Sequence, residues 1–302
     1  MPGNDPTAVG DLTLIDLRHQ GNGGAIACYL LDAEGPTIVD PGPSTTVDRL
    51  VDELAARGVG RDDLRHVLLT HVHLDHAGAT GHLLRRFPQA KVWLHADAAP
   101  HLIDPTRLVA STRRTFGAMH DELWGEVLPA AGSRVEAVGL GWRLGRLRAI
   151  HTPGHISHHL AYLDEGEGTL YSGDSMGIVL GGGPTHPPTP PPAVDLRAWE
   201  NTLAALAAFG IERFAATHFG THSDFEKRRT DLADRLCKLE AEVRQAMARN
   251  DDGAGARYHE RALAEQSVGR DDSDRKAMKR YFDTFPARTD WAGVVFYLER
   301  NP

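Results

Sequence analysis

The chain has 302 residues, 41% of them hydrophobic and 25% charged, which is enough for one large globular domain with an appendage or for two modest domains. Its formal charge is −8 and no Lys- or Arg-rich block interrupts it, which argues against nucleic acid as a partner. No basic-then-apolar leader is visible and no apolar run reaches the roughly 18 residues of a membrane span, so a cytoplasmic protein acting on a small molecule is expected, with its oligomeric state open.

In chain order, Leu12, Leu14 and Leu17 mark a first strand and residues 25–31 a second, more buried one. A short strand over 37–40 stops at Pro41-Gly42-Pro43, a strong breaker. Val47, Leu50, Val51 and Leu54 then recur at helical spacing, and Gly58 closes that helix. A strand over 67–70 leads into a His-rich turn and a helix around 81–86, and 91–95 is again strand-like. Residues 101–125 read as an amphipathic helical insertion. Short strands follow over 146–150, 160–163 and 169–172, then a helix marked by Leu196, Trp199, Leu203 and Leu206, and a last strand over 213–217. The Gly- and Pro-rich stretch 181–193 lies between two candidate ligands, so it is read as a semi-rigid rim loop and not as a domain linker.

Beyond residue 222 the pattern turns helical. Ser223 and Glu226 are spaced as a capping box, and Phe225, Leu232, Leu236, Leu239, Val243 and Met247 form an apolar stripe expected to pack on the main body. Two or three shorter helices complete the chain, the last around 291–298. Lys276, Lys279 and Arg280 read as a solvated helix face in preference to an anion contact. Cys28 and Cys237 are far apart, lack C-x-x-C spacing, and are expected to be packed, reduced thiols.

Seventeen histidines are many for this length, and imidazole is the commonest side-chain metal ligand. Residues 70–78 read THVHLDHAG. His71 and His73 are two apart, so an extended backbone projects both imidazoles to one side. Asp75 and His76 follow where the chain turns into a helix and can point elsewhere. One loop thus presents two histidines to one cation and an Asp-His pair to a second. Zinc takes such nitrogen and carboxylate donors and, in catalytic sites, keeps a position open for water.

On this motif the chain resembles the metallo-β-lactamase superfamily, and within it the glyoxalase II-like hydrolases. The resemblance extends over residues 11–222. His155, in the turn His151-Thr152-Pro153-Gly154-His155, then corresponds to the third ligand of the first metal. Asp174, in Ser172-Gly173-Asp174, corresponds to the carboxylate bridging both metals, and His218, in Thr217-His218-Phe219-Gly220, to the last ligand of the second. Asp40, in Val39-Asp40-Pro41-Gly42, corresponds to the aspartate that organises the ligand loop. The resemblance implies a four-layer αββα sandwich over 1–222, with 223–302 as a helical extension. It implies one metal on His71, His73 and His155, another on Asp75, His76 and His218, and Asp174 between them. Two divalent ions are expected, zinc foremost, with iron or manganese as alternatives.

The implied activity is hydrolysis of an ester, thioester or lactone by a metal-bound hydroxide, with Asp75 also a candidate to hold the nucleophile's proton. A mononuclear-iron oxygenase resembling the persulfide dioxygenases is the alternative, because imidazole and carboxylate suit iron as well as zinc. An acyl-homoserine-lactone type of lactonase is a further alternative, although Ser175-Met176-Gly177 stands where such enzymes place a tyrosine. His158 and His159 flank the third-ligand turn as supports of the site or as packed core groups. For His186, in the rim loop, substrate contact is the less favoured of two readings.

Overall fold

A strand buried on both faces must be apolar at successive positions, and residues 160–164 (LAYLD) and 27–32 (ACYLLD) meet that demand almost throughout. The computed structural model of the chain, which describes residues 8–9 and 12–301, pairs such strands into two sheets. Most of the leading segment read above for targeting features lies outside the described residues. The first sheet runs in sequence order: β1 (Ala8–Val9), β2 (Leu12–Asp16), β3 (Ala27–Asp32), β4 (Pro36–Val39), β5 (His66–Leu68), β6 (Lys91–His95) and β7 (Val135–Val138). Its first four strands are antiparallel and its last four parallel. The parallel steps need crossovers, supplied by α1 (Val47–Ala56), by α2 (Leu74–Ala77) with α3 (Thr80–Arg86), and by an insertion.

That insertion comprises α4 (Ala99–Ile103), α5 (Thr106–Phe116) and α6 (His120–Trp124). No residue of α5 is fully buried, whereas Leu123 and Trp124 of α6 are. The second sheet contains β8 (Arg143–Leu144), β9 (Leu147–His151), β10 (Leu160–Asp164), β11 (Thr169–Gly173), β12 (Arg213–Ala216) and β13 (Gly220–His222), with α7 (Leu196–Leu206) between β11 and β12.

Alternation along the strands sorts the core into layers. Ala27, Tyr29 and Leu31 of β3 face Leu160 and Tyr162 of β10, Tyr171 and Ala215 in one cluster between the sheets. The intervening residues, such as Cys28, Ile38 and Val67 on one sheet and Ala161, Leu163 and Phe214 on the other, join Leu50, Leu54, Trp199 and Leu203 of the outer helices. The architecture is therefore a helix–sheet–sheet–helix sandwich. The sheets are also tied together at one end, where Leu160 N donates to Thr70 O (2.8 Å) and Ala27 N to Thr217 O (2.8 Å).

Four helices follow: α8 (Phe225–Arg249), α9 (Ala254–Ser267), α10 (Asp272–Thr284) and α11 (Ala287–Arg300). Leu232, Leu236, Leu239 and Val243 of α8 share a core with Met278, Phe282, Val294 and Leu298. No helix among the described residues is long and apolar enough to cross a membrane.

Several sequence expectations are corrected. The capping box does not form: Asp224 occupies the N-cap without capping a backbone N–H, its carboxylate accepting from Arg228 instead, and Glu226 binds Arg229. Met247 is 38% exposed, because the buried face of α8 passes from Val243 to Ala246 and leaves Met247 beside it. Cys237 is exposed on the same helix, whereas Cys28 is buried between strand and helix. His186 does not face the metal ligands; its Nε2 lies 2.9 Å from Asp290 Oδ2 on α11. Asp290 also receives Thr189 N, so the Pro-rich loop is fastened to the C-terminal helices. The basic run is a solvated helix face, as expected: Lys276, Lys279 and Arg280 are all exposed, Lys279 pairs with Asp283, and Arg280 Nε donates to Asn22 Oδ1 at 2.9 Å.

Candidate metal centre

All seven sequence-derived donors gather at the tied end of the sandwich. The loop after β5 carries His71 and His73, and α2 carries Asp75 and His76. His155 follows β9, Asp174 follows β11 and His218 follows β12. Two glycines make this possible. Gly154 has φ +146 and a Cβ there would lie 2.3 Å from Trp199 Cβ; Gly173 has φ +49 and a Cβ would lie 2.5 Å from Thr70 Oγ1. Only glycine lets the backbone turn and approach so closely.

His73 Nδ1 lies 2.8 Å from His71 Nε2 and 2.9 Å from His155 Nε2, which defines one triad. Asp75 Oδ2 lies 3.3 Å from His218 Nε2 and 3.8 Å from His76 Nε2, which defines a second. Asp174 stands between them, with Oδ2 3.3 Å from His155 Nε2 and Oδ1 3.4 Å from His76 Nε2. Donors held ~2.0–2.1 Å from a tetrahedral ion are themselves about 3.3 Å apart, so these spacings suit cations of zinc's size. His76 Nε2 and Asp174 Oδ1 are buried with no hydrogen-bond partner. Orphaned polar atoms of that kind are rare in a folded core and fit a cation position.

Acceptors behind the rings aim the lone pairs inward. His76 Nδ1 meets Asp40 Oδ2 at 2.8 Å and His155 Nδ1 meets Pro188 O at 2.8 Å. His218 Nδ1 lies 3.2 Å from Ala25 O, and also 3.2 Å from Tyr281 Oη. Thr70 Oγ1 donates to Asp40 Oδ2, which leaves it to accept from His71 Nδ1 at 3.1 Å. Each of these rings then carries its hydrogen on Nδ1 and presents Nε2 to the site. Asp40 itself is fully buried, at φ +51, and also accepts from Thr70 N (2.9 Å) and Thr217 Oγ1 (2.8 Å).

His159, left open between support and core, serves as both. It is fully buried, its Nε2 accepts Asp174 N–H at 3.1 Å, and its Nδ1 meets Thr152 Oγ1 at 2.8 Å. Sequence reasoning passed over His19 and Tyr281, whose partners are 104 and 63 residues away and leave no local signal. His19 stacks on Trp124 at 5.4 Å, and Phe285 lies 5.8 Å from Trp124 and 5.7 Å from His218. An aromatic flank thus borders the second triad.

Burial and neighbouring histidines hold His71 well below its usual pKa and His73 at about 3. Burial also disfavours the charged form of His76, but Asp174, Asp75 and Asp40 outweigh it and push His76 well above 6.5. With no cation bound, these three carboxylates favour the protonated form of His76. Because the folded value is the raised one, this contribution to stability is whole below pH 6.5 and is lost as pH rises through the folded pKa. A cation entering the second triad must displace that proton. Loading at pH 7 is expected to release about one proton per chain, measured calorimetrically in two buffers of different ionisation heat. Release of none contradicts the assignment of His76.

Residues 21–218 match the sequence model of the metallo-β-lactamase superfamily. The lactamase-like protein notP of Aspergillus sp. (strain MF297-2) is 28% identical over 267 residues, 84% of this chain and 68% of that protein. The atrochrysone carboxyl ACP thioesterase of Aspergillus chevalieri is 27% identical over 212 residues, 70% of this chain and 56% of that enzyme. This chain thus spans little more than half of the thioesterase's length. The metallo-β-lactamase family protein TTHA1429 from Thermus thermophilus superposes with a TM-score of 0.61 at 22% identity, covering 97% of this chain and 93% of that one, a likeness of fold alone. With the matched model spanning well over half of the sequence and its ligand-bearing loops, the chain belongs to the metallo-β-lactamase superfamily.

Proposed function

We propose that the protein is a dinuclear metallo-hydrolase that cleaves a thioester, ester or lactone, with a thioester the foremost candidate. The observation that carries this reading is the pair of donor triads with Asp174 between them, one oxygen near His155 and the other near His76, and with the buried His76 Nε2 and Asp174 Oδ1 lacking a hydrogen-bond partner. Two divalent ions bound there would supply a water of lowered pKa and polarise the substrate carbonyl. His71, His73 and His155 would hold one ion, and Asp75, His76 and His218 the other. Asp174 would offer one oxygen to each.

The residues around the ions have their own tasks. Asp75 is the most open carboxylate of the set, with its side chain 13% exposed, and is placed to take a proton from the attacking water. His159 fixes the backbone at Asp174, and Asp40 fixes the loop that carries His71 to His76. Phe285, half-buried and packed 5.7 Å from His218, would offer an apolar ring beside the second triad to an acyl chain. The thioesterase likeness adds weight to a thioester.

The test is a panel of thioesters, lactones and phosphodiesters on protein of defined metal content. Thioester hydrolysis is expected, abolished by a chelator and restored by zinc. Oxygen consumption on a persulfide with iron-loaded protein, together with no hydrolysis of any panel member, would favour the oxygenase reading instead.

A further inference from the structure

The C-terminal helices reach a candidate metal ligand at one polar contact. Tyr281 of α10 is 2% exposed, its Oη lies 3.2 Å from His218 Nδ1, and the two rings meet edge-on at 5.9 Å. His218 Nε2 faces the second triad and Asp174 Oδ1, at 3.7 Å from the latter. An imidazole that offers Nε2 to a cation keeps its hydrogen on Nδ1, and that hydrogen faces two acceptors, Ala25 O and Tyr281 Oη. His71 and His76 are braced by Thr70 and Asp40 from the body of the sandwich, and His155 by Pro188 of the rim loop, which Thr189 fastens to Asp290 of α11. Among the described ligands, His218 alone takes a hydrogen-bond partner from beyond residue 222.

Helix α10 is held where this contact requires. Arg280 Nε donates to Asn22 Oδ1 at 2.9 Å, and Asn22 Nδ2 donates to Ala277 O at 3.4 Å. Phe285, just past the helix, packs 5.0 Å from Tyr281 and 5.7 Å from His218. Phe282 packs 5.4 Å from His186, which is itself bound to α11.

We propose that Tyr281 is a positioning residue for the second cation: its hydroxyl oxygen holds His218 in the Nε2-ligating tautomer and ring orientation, so that docking of the C-terminal helices and loading of the second metal position reinforce each other. This rests on the two-cation reading above. Outer partners of metal-bound histidines are worth about 10–100-fold in metal affinity. Ala25 O remains when Tyr281 is changed, which places the expected effect at the lower end of that range. Coupling is reciprocal, so the metal must stabilise α10 by as much as α10 favours the metal.

The experiment uses the full chain and Tyr281→Phe, which keeps the ring and removes only the oxygen. Zinc is titrated against a chromophoric chelator to resolve two stepwise constants, and His218→Ala identifies the step belonging to the second position. Tyr281→Phe is expected to weaken that step about tenfold and leave the other unchanged. Hydrogen exchange supplies a readout independent of affinity and activity: zinc is expected to slow amide exchange across 272–284 in the parent protein and far less in Tyr281→Phe. Phe285→Leu disturbs the same packing but keeps the hydroxyl, and is expected to retain both constants. Two bound ions with constants unmoved by Tyr281→Phe would overturn the role of Tyr281 alone, as would an equal loss in Phe285→Leu. A parent protein that binds a single ion would overturn the two-cation reading and this proposal with it.

Discussion

Asp174→Ala is expected to lower kcat/KM for thioester hydrolysis by on the order of 10³-fold or more, corresponding to about 4 kcal/mol of transition-state stabilisation. The size follows from what one carboxylate does. Its Oδ2 lies 3.3 Å from His155 Nε2 and its Oδ1 3.4 Å from His76 Nε2, so a single anion serves both triads. Alanine removes the shared negative charge from between two cations, and their mutual repulsion then disfavours double loading. The fold should survive, because Asp174 N still donates to His159 and Gly173 still makes the turn. Initial-rate kinetics with far-UV circular dichroism separate the two effects. Activity within a few-fold of the parent protein would remove Asp174 from the mechanism.

The largest effect on stability is expected at Asp40, which touches no substrate. Its two oxygens receive Thr70 N, Thr70 Oγ1, Thr217 Oγ1 and His76 Nδ1, at 2.8–2.9 Å and with no exposure. Asp40→Ala leaves four buried donors without an acceptor, on segments from both sheets. A loss of about 3–5 kcal/mol is expected, the range for breaking a buried charged pair. Asp40→Asn separates backbone from charge: asparagine tolerates φ +51, but its amide nitrogen must turn a donor toward donors. It should lose a comparable share, with weakened metal binding, because His76 loses the acceptor that fixes its tautomer. Urea denaturation in the presence of a chelator measures the first effect, and metal titration the second. A loss under about 1 kcal/mol for Asp40→Ala would mean that this network does not hold the ligand loop.

The site was legible where its chemistry is local. Residues 71–76 carry four donors within one turn, and the Gly-His and Gly-Asp pairs at 154–155 and 173–174 mark places where backbone crowding admits only glycine. The strand over 160–163 was legible from its apolar residues, and the fold shows that 160–164 is buried on both faces. What stayed hidden depends on distant partners. Tyr281 reads as one more apolar position of a helix until the fold brings it to His218. The Ser223 and Glu226 spacing is a sound local signal that loses to Arg229, one turn further along α8. Strands β1 and β8, at two residues each, are too short for any periodicity to register. Met247 continues the α8 stripe by spacing alone, and only the fold shows that it is 38% exposed.

The most direct test is a crystal structure of zinc-loaded protein with an anomalous difference map at the zinc edge. The account expects two peaks per chain about 3.5–4 Å apart, one among His71, His73 and His155 and one among Asp75, His76 and His218, with Asp174 reaching both. A single peak, or a second lying away from Asp174, would contradict it.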